Sequence, residues 1–270
     1  MDLIQATILG FVQGVSEFAP ISSSGHLVLV PWLLGWPAPG LIFDTIVHWG
    51  TLVAVLAYFW RDFVSLARAW GRSLVSRNPS EPEARLAWLI IVGTVPAAVM
   101  GYLGEDFFES LFAAPAWVAG LLLVTGLVLT LSEWLGSRQR EPYQLSFWDA
   151  VIIGIAQGCA IAPGISRSGA TMAAGLFRGL KREAAARYSF LLATPIIFGA
   201  GLLQLLDLFK IENAVVHLPP LIPGFLAAAF SGYLGIRFLL SYLQRGKLYA
   251  FAIYCWLVGS ACLLIAILSH

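Results

Sequence analysis

The chain has 270 residues, of which 59% are hydrophobic and 11% charged, with a net charge of +1; an ordinary soluble domain carries about 25% charged residues. That composition excludes a water-soluble globule, and without a basic excess no nucleic-acid partner is expected. Three cysteines, Cys159, Cys255 and Cys262, lie in apolar surroundings without paired spacing, so neither a disulfide framework nor a zinc site is expected.

In chain order, residues 3–35 are apolar except for "EFAPISSSGH" at 17–26, which inserts a carboxylate, three hydroxyls and an imidazole. The stretch lacks the basic start and cleavage pattern of a secretory leader and is expected to remain part of the protein. Apolar runs near the ~20 residues needed to cross a bilayer follow at 42–60, 86–104 and 116–135. Arg61, Arg68, Arg72, Arg77 and Arg85 fall in the loop after the first run, Glu105, Asp106 and Glu109 after the second, and Arg138 and Arg140 after the third. Asp44 and His48, four apart, share one helix face, where they line an entrance, assist a metal or form a hydrated helix end. Residues 148–177 carry a second polar interruption, "APGISRSGAT", followed by Arg178, Lys181, Arg182 and Arg187. Further spans are expected at 188–208, 219–240 and 248–268, with Lys210 in one connection and Arg237, Arg245 and Lys247 around the next.

The two polar interruptions are copies of each other. At an offset of 144, Gly10, Gln13, Gly14, Ile21, Ser22, Ser24 and Gly25 meet Gly154, Gln157, Gly158, Ile165, Ser166, Ser168 and Gly169. At an offset of 131, Gly101-Tyr102-Leu103 meets Gly232-Tyr233-Leu234. Three spans per half make the second copy enter the membrane from the opposite side, as in inverted-repeat transporters. The four basic groups then share the cytoplasmic face, with Lys210 opposite, if residues 3–35 and 148–177 dip into the membrane and return. The expected fold is therefore an all-α polytopic membrane protein. It is one integral membrane domain over 1–270, an inverted repeat of halves 1–140 and 145–270. Each half supplies three transmembrane helices and one re-entrant helical hairpin, giving six spanning helices and two re-entrant segments. Irregular backbone at membrane depth requires a protein-lined or water-filled cavity, and two opposed hairpins would enclose one.

Glu17, His26 and Arg167 would share that cavity with Ser22, Ser23, Ser24, Ser166, Ser168 and Thr171. Ionisable groups inside a membrane are costly and mark functional sites. A guanidinium matches phosphate oxygens, and hydroxyls and N–H groups of Gly-rich turns extend the cradle. A carboxylate cannot hold an anion, so Glu17 is expected to act as a general base or a metal ligand. The attacking group stays open between Ser23, His26 and water. A structural Glu17–Arg167 ion pair, His26 as a cap of the re-entrant helix, and turn-capping by Ser22, Ser24, Ser166 and Ser168 are the competing accounts.

"QGVSEFAPISSSGH" at 13–26 and "PGISRSGAT" at 163–171 resemble the two signatures of the undecaprenyl-diphosphate phosphatase family, the membrane proteins associated with bacitracin resistance. The likeness extends over essentially the whole chain. It implies a bacterial plasma-membrane enzyme that hydrolyses a polyprenyl diphosphate lipid to the monophosphate, recycling the carrier of cell-wall precursors, with its site open to the outer face. By position it implies Ser23 as nucleophile, Glu17 as base or metal ligand, His26 as proton donor or alternative nucleophile, and Arg167 as diphosphate clamp. Ser22, Ser24, Gly25, Gly164, Ser166, Ser168, Gly169, Thr171 and Gln13 complete the phosphate-binding set. Relatives with two carboxylates grip a divalent cation, Mg2+ or Ca2+, more firmly; Gln13 in the first acidic position weakens that expectation and leaves Glu17 as the candidate ligand. The alternative reading is a transporter or flippase of a phosphorylated polyprenyl lipid, and the oligomeric state stays open.

Overall fold

A computed structural model describes residues 1–78, 80–208 and 218–268, which are helical and contain no strand. Lys210, expected opposite the basic groups, lies outside the described residues. Helix α1 (Leu3–Phe18) starts on a capping box, in which Asp2 accepts the Gln5 N–H at 2.8 Å and Gln5 accepts the Asp2 N–H at 3.1 Å. It stops short of Pro20, whose ring cannot continue the ladder. After a turn at 19–22 come α2 (Ser23–Leu34), α3 (Gly40–Tyr58), α4 (Trp60–Ser76), α5 (Pro82–Leu103), α6 (Glu105–Phe112) and α7 (Pro115–Leu135). A capping box, Ser146 with Asp149, also opens α8 (Phe147–Cys159). The chain ends with α9 (Arg167–Phe177), α10 (Arg182–Leu208), α11 (Leu218–Leu243) and α12 (Tyr249–Leu268).

Six of these helices, α3, α5, α7, α10, α11 and α12, are long and apolar enough to cross a bilayer, and they fall on the six expected spans. By contrast α1, α2, α8 and α9 have 16, 12, 13 and 11 residues. At 1.5 Å per residue none exceeds about 24 Å, short of the ~30 Å hydrocarbon core. The protein is thus all-α and polytopic.

The segment read from sequence as a basic loop after the first span is instead mostly α4. Leu66, Ala69 and Ser73 face inward at helical spacing while Arg61, Arg68 and Arg72 stay exposed. The acidic connection is likewise a short helix, α6, with Glu105 and Asp106 in its first turn, where the helix dipole favours them.

Two of the short helices pack along spans distant in the chain: α1 along α11, and α8 along α5. Both contacts rest on facing glycines. A Cβ on Gly10 would lie 2.2 Å from the carbonyl oxygen of Gly224, and one on Gly154 would lie 2.3 Å from that of Gly93. Gly10 and Gly154 are 144 apart and Gly93 and Gly224 are 131 apart, the same offsets that relate the repeated segments. Away from the turns, two buried carboxylates gather arginines from neighbouring segments. Glu133 on α7 accepts from Arg182 Nε and Nη2, each at 2.7 Å, and lies 3.4 Å from Arg138, while Asp149 on α8 is held by Arg140 at 2.9 Å and Arg178 at 2.5 Å.

Candidate active site

The breaks between α1 and α2 and between α8 and α9 meet tip to tip. The N–H of Gly164 donates to Ser22 Oγ at 3.0 Å, and Ser168 Oγ donates to the carbonyl of Ala19, also at 3.0 Å. Gly164 sits at φ +100°, and a Cβ there would lie 2.3 Å from the carbonyl of Val118, so the turn requires glycine. Ser22 and Ser166, counterparts in the repeat, are the N-caps of α2 and α9. Their hydroxyls accept the N–H of Gly25 at 3.2 Å and of Gly169 at 3.0 Å. Ser22 pays for its place with φ +68°, a conformation rare for a residue with a side chain.

Capping places Ser23 and Arg167 in the same position, the first residue of α2 and of α9. Both reach Glu17, near the end of α1. The Ser23 hydroxyl donates to Glu17 Oε2, and the Arg167 guanidinium donates to Glu17 Oε1. Gln13, one turn earlier on α1, donates its amide to Oε2 at 2.9 Å. His48 Nε2 lies 3.7 Å from Oε2, its Nδ1–H being given to the carbonyl of Asp44 at 2.6 Å. Glu17 and Gln13 are buried, whereas Ser23, Arg167 and His48 are partly exposed and form the mouth of the site.

Two helix N-termini therefore converge here. Among the described residues the N–H groups of Ser23, Ser24, Arg167 and Ser168 have no acceptor, since the next two donors in each helix are taken by the caps. Four free N–H groups, two positive helix ends and a guanidinium make a receptor for an anion with several oxygens. Beside them a hydroxyl is hydrogen-bonded to a carboxylate, the arrangement that activates a serine.

The remaining expected residues are spread around this cluster. Ser24 is half-exposed and its hydroxyl has no partner among the described residues. Ser166 and Ser168 lie 3.2 Å apart, Ser168 being spent on Ala19, and Thr171 pairs with Ser189 at 2.6 Å. Ser22, Ser166, Ser168 and Thr171 thus hold the turns together. Gly25 and Gly169 give their N–H groups to the caps and leave room where the tips meet. His26 is not brought to Glu17 or Ser23. Its ring nitrogens go to the carbonyl of Ser22 and to the hydroxyl of Tyr254, both at 2.7 Å.

Sequence reasoning named neither Tyr254 nor Thr125, which donates to the carbonyl of Gly164 at 2.8 Å and accepts the N–H of Ser166 at 3.1 Å. Neither stands near a motif, and only spatial proximity identifies them. His48 had a signal, its spacing from Asp44, but nothing tying it to Glu17.

A divalent cation of the Mg2+ or Ca2+ kind takes six or more oxygen ligands. Both oxygens of Glu17 are already engaged, and among the described residues no three His, Cys, Asp or Glu side chains cluster as a metal site. This donor set does not fit a divalent cation held by the protein alone.

Residues 6–261 match the family model described as bacitracin resistance protein BacA. A protein of Desulforudis audaxviator named undecaprenyl-diphosphatase is 45% identical over 268 residues, covering 99% of each chain. Its namesake from Methanosphaera stadtmanae is also 45% identical, over 99% of each chain, and that of Rubrobacter xylanophilus is 48% identical over 94% of each.

Proposed function

The chain belongs to the bacitracin resistance protein BacA family, and from that membership we propose that it hydrolyses undecaprenyl diphosphate to undecaprenyl phosphate and inorganic phosphate. The relatives named undecaprenyl-diphosphatase support the substrate. The observation that carries the chemistry is the shared carboxylate: Glu17 holds the Ser23 hydroxyl on one oxygen and the Arg167 guanidinium on the other.

In this reading the terminal phosphate seats on the free N–H groups of α2 and α9 and draws Arg167 from Glu17 onto its own oxygens. Losing its cationic partner makes the carboxylate a better proton acceptor. Ser23 Oγ attacks the terminal phosphorus, its proton passes to Glu17, the P–O bond to the leaving phosphate breaks, and undecaprenyl phosphate departs. Glu17 hands that proton to the departing phosphate and is a carboxylate again; water then attacks the phosphoserine and gives a proton to Glu17, which returns it to Ser23 Oγ as the P–Oγ bond breaks, and inorganic phosphate leaves. His26 acts in this scheme through its grip on Ser22, and Gln13 by orienting Glu17.

The molecule is multi-pass in the membrane, and we place it in the plasma membrane with the site open to the outer face. The halves 1–140 and 145–270 are an inverted repeat and the short helix pairs are re-entrant hairpins; the matched glycine contacts at the two sequence offsets support this. Purified, detergent-solubilised protein is expected to release phosphate from undecaprenyl diphosphate. Ser23→Ala, with an unchanged melting temperature, should lower kcat by ~10³-fold or more. Full activity in that variant would refute the assignment.

A further inference from the structure

Each broken turn is braced by the last spanning helix of the opposite half. At the second turn the brace is α7, through Thr125. At the first it is α12. Cys255 Sγ lies 3.8 Å from the carbonyl of Pro20, and the neighbouring Tyr254 hydroxyl lies 2.7 Å from His26 Nε2. The two rings stack, with centroids 5.7 Å apart and planes 16° from parallel.

The direction of these bonds follows from the partners. The carbonyl of Ser22 only accepts, so His26 carries its proton on Nδ1, and Nε2 of the neutral ring accepts from Tyr254. Among the described residues the Tyr254 hydroxyl has no second hydrogen bond. Ser22 is the residue held at φ +68°, and Ser23 follows it directly. Such a backbone persists only where its surroundings over-determine it. The N–H groups of Gly25 and Gly164 fix the Ser22 side chain; its carbonyl accepts the backbone N–H of His26 at 3.1 Å as well as Nδ1, and among the described residues no other side chain reaches it. Without the Tyr254 hydroxyl the imidazole keeps its Nδ1 bond alone.

We propose that Tyr254 is a positioning residue: through His26 it fixes the carbonyl of Ser22 and thereby aims Ser23 at Glu17. Its kinetic consequence rests on the phosphatase reading; its structural consequence does not. Both are measurable in the full-length, detergent-solubilised protein.

Histidine rings labelled with heavy nitrogen report the tautomer by NMR. The His26 signals, identified by their loss in His26→Gln, should show a protonated Nδ1 and a hydrogen-bonded Nε2, and in Tyr254→Phe the Nε2 signal should move to that of an unbonded nitrogen. A proton on Nε2 in the wild type, or no movement in the variant, overturns the proposal. In phosphate release, Tyr254→Phe should lower kcat about tenfold at unchanged KM, and the same substitution in a His26→Gln background should cost nothing more. An unchanged kcat, or an equal loss in both backgrounds, also overturns it. A wild-type protein that releases no phosphate defeats the phosphatase reading alone, and the NMR result then decides the role of Tyr254.

Discussion

Ser23 and Arg167 stand at equivalent places in the two copies, 144 positions apart, and their divergence is what makes one site out of two turns. One copy supplies the hydroxyl, the other the cation, and Glu17 touches both. Asp149 shows the other use of a buried carboxylate. Burial pushes its pKa up, but the N–H and hydroxyl of Ser146 together with Arg178 and Arg140 outweigh that and hold it well below the usual carboxylate range. A depressed folded-state pKa gives stability that is fully present above the unfolded value near pH 4 and is lost as pH falls below it. Asp149→Asn should therefore melt lower than wild type at neutral pH, and the gap should close progressively below about pH 4; a gap independent of pH contradicts this role. The cluster around Glu17 was legible in sequence because Glu17, Ser23 and Arg167 all lie in the polar interruptions of apolar text. The contact of His26 with Tyr254 was not, since that partner lies 228 residues away and looks like an ordinary aromatic in a membrane helix. The caps were only partly legible: hydroxyls that suit a phosphate suit a helix N-terminus equally well.

At the level of elements, the six spans were readable from apolar length, and the breaks in the short helices from Pro and Gly in "APISSSG" and "APGISRSG". Helix α4 was hidden because its charges drew a loop reading, although Leu66, Ala69 and Ser73 already carried the helical spacing. The closeness of α1 to α11 was hidden as well: Gly10 was aligned in the repeat, but its partner Gly224 lay in a span with no mark of a contact. Gly10→Ala drives a Cβ into the Gly224 backbone and should cost about 1–3 kcal/mol, read as a lower melting temperature in detergent. Gly120→Ala, where nothing lies within 4 Å, should be neutral or stabilise by up to ~1 kcal/mol. Equal effects at the two positions would mean that the α1–α11 contact does not require glycine.

At the scale of the whole molecule, the two short helix pairs meet at their tips, so that neither pair alone holds Glu17, Ser23 and Arg167. If residues 3–35 return to their side of entry, cysteines placed at Leu3 and Ala38 in a cysteine-free background should both react with an impermeant reagent added outside intact cells. Labelling of only one of them would make the first helix pair a span and separate the basic clusters across the membrane. The chemistry at the meeting point is tested most directly by the stereochemical course at phosphorus. Undecaprenyl diphosphate made chiral at its terminal phosphorus by sulfur and oxygen-isotope substitution should be hydrolysed with net retention, because attack by Ser23 and then by water inverts the centre twice. Net inversion would mean a single displacement by water and would remove Ser23 as the attacking group.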